Sequence, residues 1–291
     1  VSTVAHGWSW LEAMSLASER GVPSHLILHD DWPTHTTSSL LQQGMLRNTM
    51  KTAYRIAASR FCVSPAMELS YRNATGCRAE VLYPARSSAA KFELEPASHL
   101  SGDIPSLRIA YAGTISAAGY PELIAQTARA LEKVGGKLIL YTPQDSITLQ
   151  RQGLDLPSIE SRAAVPSSLL IETLRREADA LLLPMSFDPT VRDNMTLAFP
   201  SKLADYTAAG LPIFILAPDY SSVAKWAMEN PDAALLATSH SDAAIHTAVE
   251  RLLNEPTLRV DLARGAISAG QKYFTATRAR DTFLASVLQA A

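Results

Sequence analysis

The chain has 291 residues, 47% apolar and 19% charged, with a formal net charge of −2. That length allows two domains with a core each, the apolar share excludes a disordered chain, and the near-neutral charge leaves no basic footprint for nucleic acid. No apolar run approaches the ~18 residues of a membrane span, and no secretory signal is recognisable. Cys62 and Cys77 give neither a disulfide framework nor a metal spacing, which fits buried thiols in a reducing, cytoplasmic compartment.

In chain order, the apolar run VSTVAHG ends at Gly7, and WLEAMSLASERG reads as a helix that Gly21 stops. SHLILHDDW is a strand with His29, Asp30 and Asp31 at its carboxyl end. A helix from about Ser38 to Ser59 follows, then the strand FCVS, the helix PAMELSYRNATG and the strand AEVLYP. Strand and helix alternate, so residues 1–85 read as an α/β domain with a mostly parallel sheet. Residues 86–105 lack periodicity and cluster Ser, Pro and Gly, the composition of a linker.

A second β/α domain, 106–270, opens with the strand LRIAYAG (107–113). The helix from Pro121 to Val134 carries Leu123, Ile124, Thr127, Ala128, Leu131 and Val134 along one stripe. KLILY, ALLLP (180–184), PIFIL (212–216) and AALLAT read as strands. SLLIETLRREA, SSVAKWAMEN, 241–254 and 256–269 read as helices. A terminal helix lies within 271–291 and starts near Thr275.

The stretch from Phe199 to Pro212, FPSKLADYTAAGLP, is the most informative. Pro200 suits a first helical position, where its missing N–H is no loss. Ser201 and Lys202 then fall in the first turn, whose free amides, dipole and ammonium together form a phosphate seat. Asp205, three residues on, shares that face and offers a carboxylate to ribose hydroxyls. Gly210 stops the helix. The spacing fits equally well an ordinary α/β helix with a solvated lysine.

This segment resembles the donor-nucleotide region of GT-B glycosyltransferases of the family-4 type. Those enzymes carry a Glu-Ala-Met-Ala-x-Gly-x-Pro helix or a Pro-Ser-Lys-Leu-x-Glu-Tyr-x-Ala-x-Gly variant. The chain matches the second, with Asp205 in place of Glu. The resemblance runs from about Ser2 to Phe274 and is specific over 181–218. It implies two Rossmann-like domains across a cleft, the terminal helix crossing back to the first domain. A complete amino-terminal domain of this kind has further β/α units ahead of the first strand, so the first domain is expected to be a partial one.

Other candidates stand just after strands, where ligands bind in open α/β sheets. Gly113-Thr114-Ile115 follows LRIAY, and its amides and the Thr114 hydroxyl suit a diphosphate; a plain strand-to-helix turn would look the same. Family members place Arg and Lys in this region, and Ser116-Ala117-Ala118-Gly119-Tyr120 supplies neither, which leaves Lys202 and Arg192 to offset the diphosphate. Ser186-Phe187-Asp188 follows ALLLP, and Asp188 keeps the offset of the family's Pro-Ser-x-x-Glu, a residue close to the donor sugar. An inserted loop, TVRDNMTLA, accounts for its wide separation from Asp205. Asp-Pro is also an ordinary turn. His29 matches a family histidine that contacts the donor sugar from the amino-terminal domain. Two rival readings of its neighbourhood are a metal site from His29, Asp30, Asp31 and His35, and a structural role in which Asp31 caps a turn and Trp32 packs. The His6-Gly7 pair is generic. In Pro218-Asp219-Tyr220-Ser221-Ser222, a serine caps the next helix.

The resemblance thus implies transfer of a sugar, with retention, from a nucleotide-sugar co-substrate to the hydroxyl of a glycan or lipid-linked acceptor. No cofactor and no metal are expected. His29 and Asp188 fall to the catalytic centre, and Gly113, Thr114, Ser201, Lys202 and Asp205 to the donor nucleotide. Family members build polysaccharides or lipid-linked glycans at the cytoplasmic face of a membrane, so a cytoplasmic, inner-face location is implied. The alternative is a degenerate member that kept the fold as a non-catalytic binding or scaffold protein.

Overall fold

The computed structural model describes residues 1–4, 8–32, 39–115 and 118–289. The chain divides into two compact units, Val1–Ala85 with Asp193–Pro200 and Ala276–Ala291, and Arg86–Arg192 with Ser201–Thr275.

In the first unit, β1 (Ser2–Val4), β2 (His25–Leu28), β3 (Ser59–Cys62) and β4 (Glu80–Val81) form a parallel sheet in that order. The crossovers contain α1 (Ser9–Glu19), α2 (Leu40–Ile56) and α3 (Pro65–Thr75). α3 shows how local sequence sets an element. Ser64 Oγ accepts from the Met67 amide at 3.0 Å, Pro65 takes the first position, and Gly76 ends the helix at φ 77°. The same Ser64 hydroxyl donates to the Leu197 carbonyl at 2.6 Å, which ties the 193–200 segment to this unit. The terminal helix packs here too, Phe283 against the buried Phe61 with ring centres 5.2 Å apart.

The second unit has six parallel strands: β5 (Arg108–Ala112), β6 (Lys137–Thr142), β7 (Ile159–Ala163), β8 (Ala180–Pro184), β9 (Ile213–Leu216) and β10 (Leu235–Ala237). Their order is β10-β9-β8-β5-β6-β7. The helices from Tyr120 on are α4 (Tyr120–Lys133), α5 (Ser146–Arg151), α6 (Ser167–Glu177), α7 (Arg192–Leu197), α8 (Lys202–Tyr206), α9 (Ser222–Glu229), α10 (Asp242–Asn254), α11 (Pro256–Tyr273) and α12 (Ala276–Gln289), of which α7, but for Arg192, and α12 belong to the first unit. β8 and β9 are apolar along their whole length because both faces of a parallel sheet are covered. The core includes Ile109, Tyr111, Ile124, Leu131, Leu140, Leu182 and Phe214.

Stretch 86–105 runs along this second unit. The Glu93 and Ala97 amides donate to the Ala208 and Gly210 carbonyls, each at 2.9 Å, and Arg175 donates to the Glu95 and Pro96 carbonyls at 2.9 and 3.1 Å.

Three elements differ from the sequence reading. The helix expected from Pro200 begins only at Lys202 and gives way after Tyr206 to tight turns. Gly210 closes those turns at φ 65°, and an added Cβ there would meet the Arg175 guanidinium and, at 2.7 Å, the Glu95 carbonyl. TVRDNMTLA is a 3-10 turn, Pro189–Val191, followed by α7 rather than a loop. β7, IESRA, lies at the sheet edge with four of its five residues exposed, so it carries no apolar run to read.

Candidate functional site

β5 stands beside β8 although β6 and β7 intervene in the chain. The sheet therefore reverses its order of growth between β5 and β8, and such a switch point leaves a crevice beyond the carboxyl ends of the two strands. The turn after β5 enters it from one side. The segment after β8, which leads to α8, enters it from the other.

The β5 turn is tightly fixed. The Gly113 amide extends the ladder to the Tyr141 carbonyl at 2.9 Å. Tyr111 donates its hydroxyl to the Thr114 carbonyl at 2.7 Å. Gln144 Oε1 accepts from the Ile115 amide at 2.9 Å, and the Gln144 and Gln152 side-chain amides donate to the Ile115 carbonyl at 3.1 and 3.0 Å. Thr114 itself is exposed, and its hydroxyl has no partner among the described residues.

Lys202 lies over this turn. A Cβ added to Gly113 would stand 2.5 Å from Lys202 Cε and 3.0 Å from Nζ, and Gly113 has φ 134°. The two residues are in contact because Tyr206, one helical turn after Lys202, accepts the Ala112 amide at 2.9 Å and so pins α8 to β5. The ammonium also lies 5.3 Å from the Tyr111 ring centre. Desolvation pushes its pKa below the ordinary lysine value, and no charge among the described residues offsets the shift. A cation removed from water without a counter-charge is unfavourable, so the seat is suited to an anion.

Ser201 is exposed, in helical conformation, and its side chain caps nothing. Asp205 is not coupled to Lys202 despite their spacing. Burial raises its pKa, and Arg86 partly opposes that rise. The Arg86 guanidinium is itself buried and donates to the Ala204 carbonyl at 3.2 Å.

Asp188 follows β8. Its Oδ1 accepts from the Thr190 amide at 2.8 Å and the Thr190 hydroxyl at 2.6 Å, bonds that hold its pKa below the usual carboxylate range. Its own amide donates to the buried Ser186 hydroxyl at 3.1 Å. A Cβ on Gly119, at the start of α4, would stand 2.8 Å from Ser186 Oγ, so the β8 segment closely approaches the entrance to α4. Asp188→Ala is expected to lower stability slightly through the lost cap, readable as a small fall in urea midpoint. Asp188→Asn, which keeps an accepting oxygen, is expected to recover most of it. Arg192 lies over Tyr220, 3.8 Å from the ring centre, and Ser221 caps α9 by accepting from the Ala224 amide at 3.2 Å.

In the first unit, His29 follows β2, its amide donating to the Val4 carbonyl at 3.0 Å. Desolvation lowers its imidazole pKa, against the pull of Asp30. Asp31 is buried, accepting from the Tyr71 hydroxyl at 3.1 Å and lying 3.7 Å from Arg47, while Trp32 is fully buried. These contacts fit the structural role weighed for this pair, while the turn that Asp31 was expected to cap lies outside the described residues. No group of three metal-ligating side chains occurs among the described residues. His6, Gly7, His35, Ser116 and Ala117 lie outside the described residues.

The structure thus joins Gly113, Thr114 and Lys202, sets Asp205 beside Arg86, and puts Asp188 on the β8 side of the same crevice. Tyr206, Gln144 and Gln152, which fix this geometry, were not singled out in the sequence. For Tyr206 the signal was its position four residues after Lys202.

No protein-family model matches the sequence, and no curated protein matches it. Solved structures do. HepE from Anabaena, in complex with UDP and glucose, is 16% identical with a TM-score of 0.72, over 98% of this chain and 76% of that one. A sucrose-phosphate synthase from Thermosynechococcus elongatus is 13% identical with a TM-score of 0.70, over 96% and 71%. A UDP-forming α,α-trehalose-phosphate synthase from Burkholderia xenovorans is 14% identical with a TM-score of 0.68, over 98% and 73%. The fold is the GT-B fold, with two Rossmann-like α/β units. Among the described residues no helix is long and apolar enough to cross a membrane.

Proposed function

We propose that this chain is a glycosyltransferase that moves a sugar from a nucleotide-sugar donor to a hydroxyl of a glycan or lipid-linked acceptor, with retention and without metal or cofactor. The observation that carries the reading is the half-buried Lys202 ammonium above the Gly113 turn, desolvated and without a carboxylate partner among the described residues. A diphosphate there supplies the missing counter-charge, and its negative charge grows as the sugar departs. A fixed cation beside the leaving group stabilises that change without having to reorganise. Thr114 adds an unengaged hydroxyl and Ser201 an exposed one at the start of α8. Asp205 serves the ribose, Asp188 the donor sugar, and His29 the sugar from the first unit. The solved structures with this fold include one holding UDP and glucose and one holding UDP-glucose, which makes uridine the first nucleotide to try.

Calorimetric titration with UDP, GDP, ADP and dTDP tests the donor site. Binding of one of them is expected, with loss in Lys202→Ala. A folded chain that binds none of the four overturns the reading. Nucleotide binding with no hydrolysis or transfer from any of the corresponding sugar nucleotides would instead favour a degenerate, non-catalytic binding protein.

A further inference from the structure

Arg86 opens the stretch that runs along the second unit, and its side chain is buried. Its guanidinium donates to the carbonyl of Ala204, the residue before Asp205 on α8, at 3.2 Å. Its backbone amide donates to the Phe274 carbonyl at 3.0 Å, and a Cβ added to Gly270 would stand 3.0 Å from the guanidinium. The residue is thus fixed between α8 and the end of α11. Among the described residues it forms no ion pair with a carboxylate. A glutamine could donate to a carbonyl equally well, whereas a guanidinium is costly to take out of water. The opposite charge that offsets this cost is Asp205, and Arg86 in turn offsets the burial of Asp205. The Asp205 carboxylate is half-buried and accepts no hydrogen bond among the described residues. Arg86 and the Tyr206 hydroxyl are the groups that face it. Arg175, on the neighbouring α6, is held by Glu93 at 3.6 Å, and Lys272, on α11, lies over Tyr273.

An ionised carboxylate has two oxygens that only accept, and a guanidinium bonded directly to it would occupy both. Here the guanidinium is bonded to the carbonyl one residue earlier. It balances the charge of Asp205 and leaves both oxygens open to hydroxyl donors. Two hydroxyls on adjacent carbons, the cis-diol of a ribose, match two free oxygens of one carboxylate. We propose that Arg86 is a positioning residue for the ribose diol, holding α8 so that Asp205 presents a charged and unengaged carboxylate. The proposal rests on the nucleotide-donor reading and adds to it a preference for ribonucleotides over their deoxy forms.

Calorimetric titration of the whole chain with UDP and with 2′,3′-dideoxy-UDP separates this role from that of a structural clamp. At neutral pH the wild type is expected to bind UDP at least about tenfold more tightly than the analogue. Arg86→Gln can still donate to the Ala204 carbonyl but lacks the charge. It should lose about tenfold in UDP affinity and bind the analogue as before, which also reports that it is folded. The ratio of the two affinities should recover as pH rises and Asp205 ionises. Lys202 acts on both nucleotides and cancels from that ratio. Arg86→Lys, which keeps the charge, should hold the ratio near the wild-type value. If another of the four nucleotides binds in place of UDP, its own dideoxy form is used. Equal losses for both ligands, an unchanged ratio, or equal binding of the two by the wild type would overturn the proposal and leave the donor site standing. A folded wild type that binds none of the four nucleotides takes both readings down. Should Arg86→Gln not fold, carbon-13 NMR of the wild-type Asp205 carboxyl, assigned with Asp205→Asn, decides. A carboxylate charged at neutral pH is expected, and a protonated one would overturn the role of Arg86.

Discussion

Lys202→Met loses the nucleotide: UDP affinity falls about a hundredfold, and the empty protein becomes more heat-stable at neutral pH. Both effects come from the same ammonium. A charge-assisted hydrogen bond to phosphate is worth roughly 1.5–3 kcal/mol, and about 2.8 kcal/mol corresponds to a hundredfold. In the empty protein the half-buried ammonium has the Tyr111 ring beside it but no carboxylate partner among the described residues, and desolvation lowers its pKa from 10.5. The unfolded chain therefore binds more protons between the lowered value and 10.5. The stability contributed by this group rises with pH across that window, and the penalty is complete below it. Methionine removes the penalty along with the binding. The affinity of the wild-type protein for UDP should decline as pH rises past the lowered value, since a neutral amine no longer balances the diphosphate. Calorimetric titration and differential scanning across a pH series read both arms. UDP binding by Lys202→Met at wild-type strength would remove Lys202 from the site.

Gly113→Ala is expected to weaken UDP binding at least about tenfold and to lower stability by about 2 kcal/mol, for two separate reasons. With φ at 134°, the backbone sits where a side chain is strained whatever space surrounds it. The added Cβ would also lie 2.5 Å from Lys202 Cε, so the lysine stem must move. The stem is flexible and its displacement is easily accommodated. Its consequence is that the ammonium leaves the turn. The two contributions separate in a double-mutant cycle. In a Lys202→Ala background nothing remains to be displaced, so Gly113→Ala should reduce stability as before and change nucleotide affinity no further. Additive losses of affinity in the double variant would show that Gly113 meets the nucleotide through its own backbone.

Strands and helices with a strong pattern were legible in the sequence. ALLLP and PIFIL are apolar runs with a proline at one end, and the stripe on 121–134 matches α4 to within a residue at each end. Charged edge strand β7 was not legible, because its side chains face water and no burial imposes a period. The length of α8 was not legible either, since it is limited at Gly210 by Arg175 and the Glu95 carbonyl, groups distant in the chain. Within the candidate site, Lys202 and Gly113 could each be picked out, but not their contact. That depends on the Tyr206 hydroxyl reaching the Ala112 amide across 94 residues of sequence. The same limit applies to Asp205. Its spacing from Lys202 predicts a shared face, while the group that governs its charge is Arg86, far upstream.

The first unit is assembled from three separated stretches of chain, the last of them carrying α12. During synthesis the second unit has all of its sequence, up to Thr275, before that helix emerges. Domains form as their residues become available, in general from the amino terminus. Here the order is crossed: the sheet of the first unit is complete at Val81, but the helix that packs on it follows the whole of the second unit. Until Phe283 has left the ribosome, Phe61 has no ring to pack against. The Phe61 face of that sheet is then open to chaperones and proteases while the second unit is being made, and damage to α12 is felt at β3.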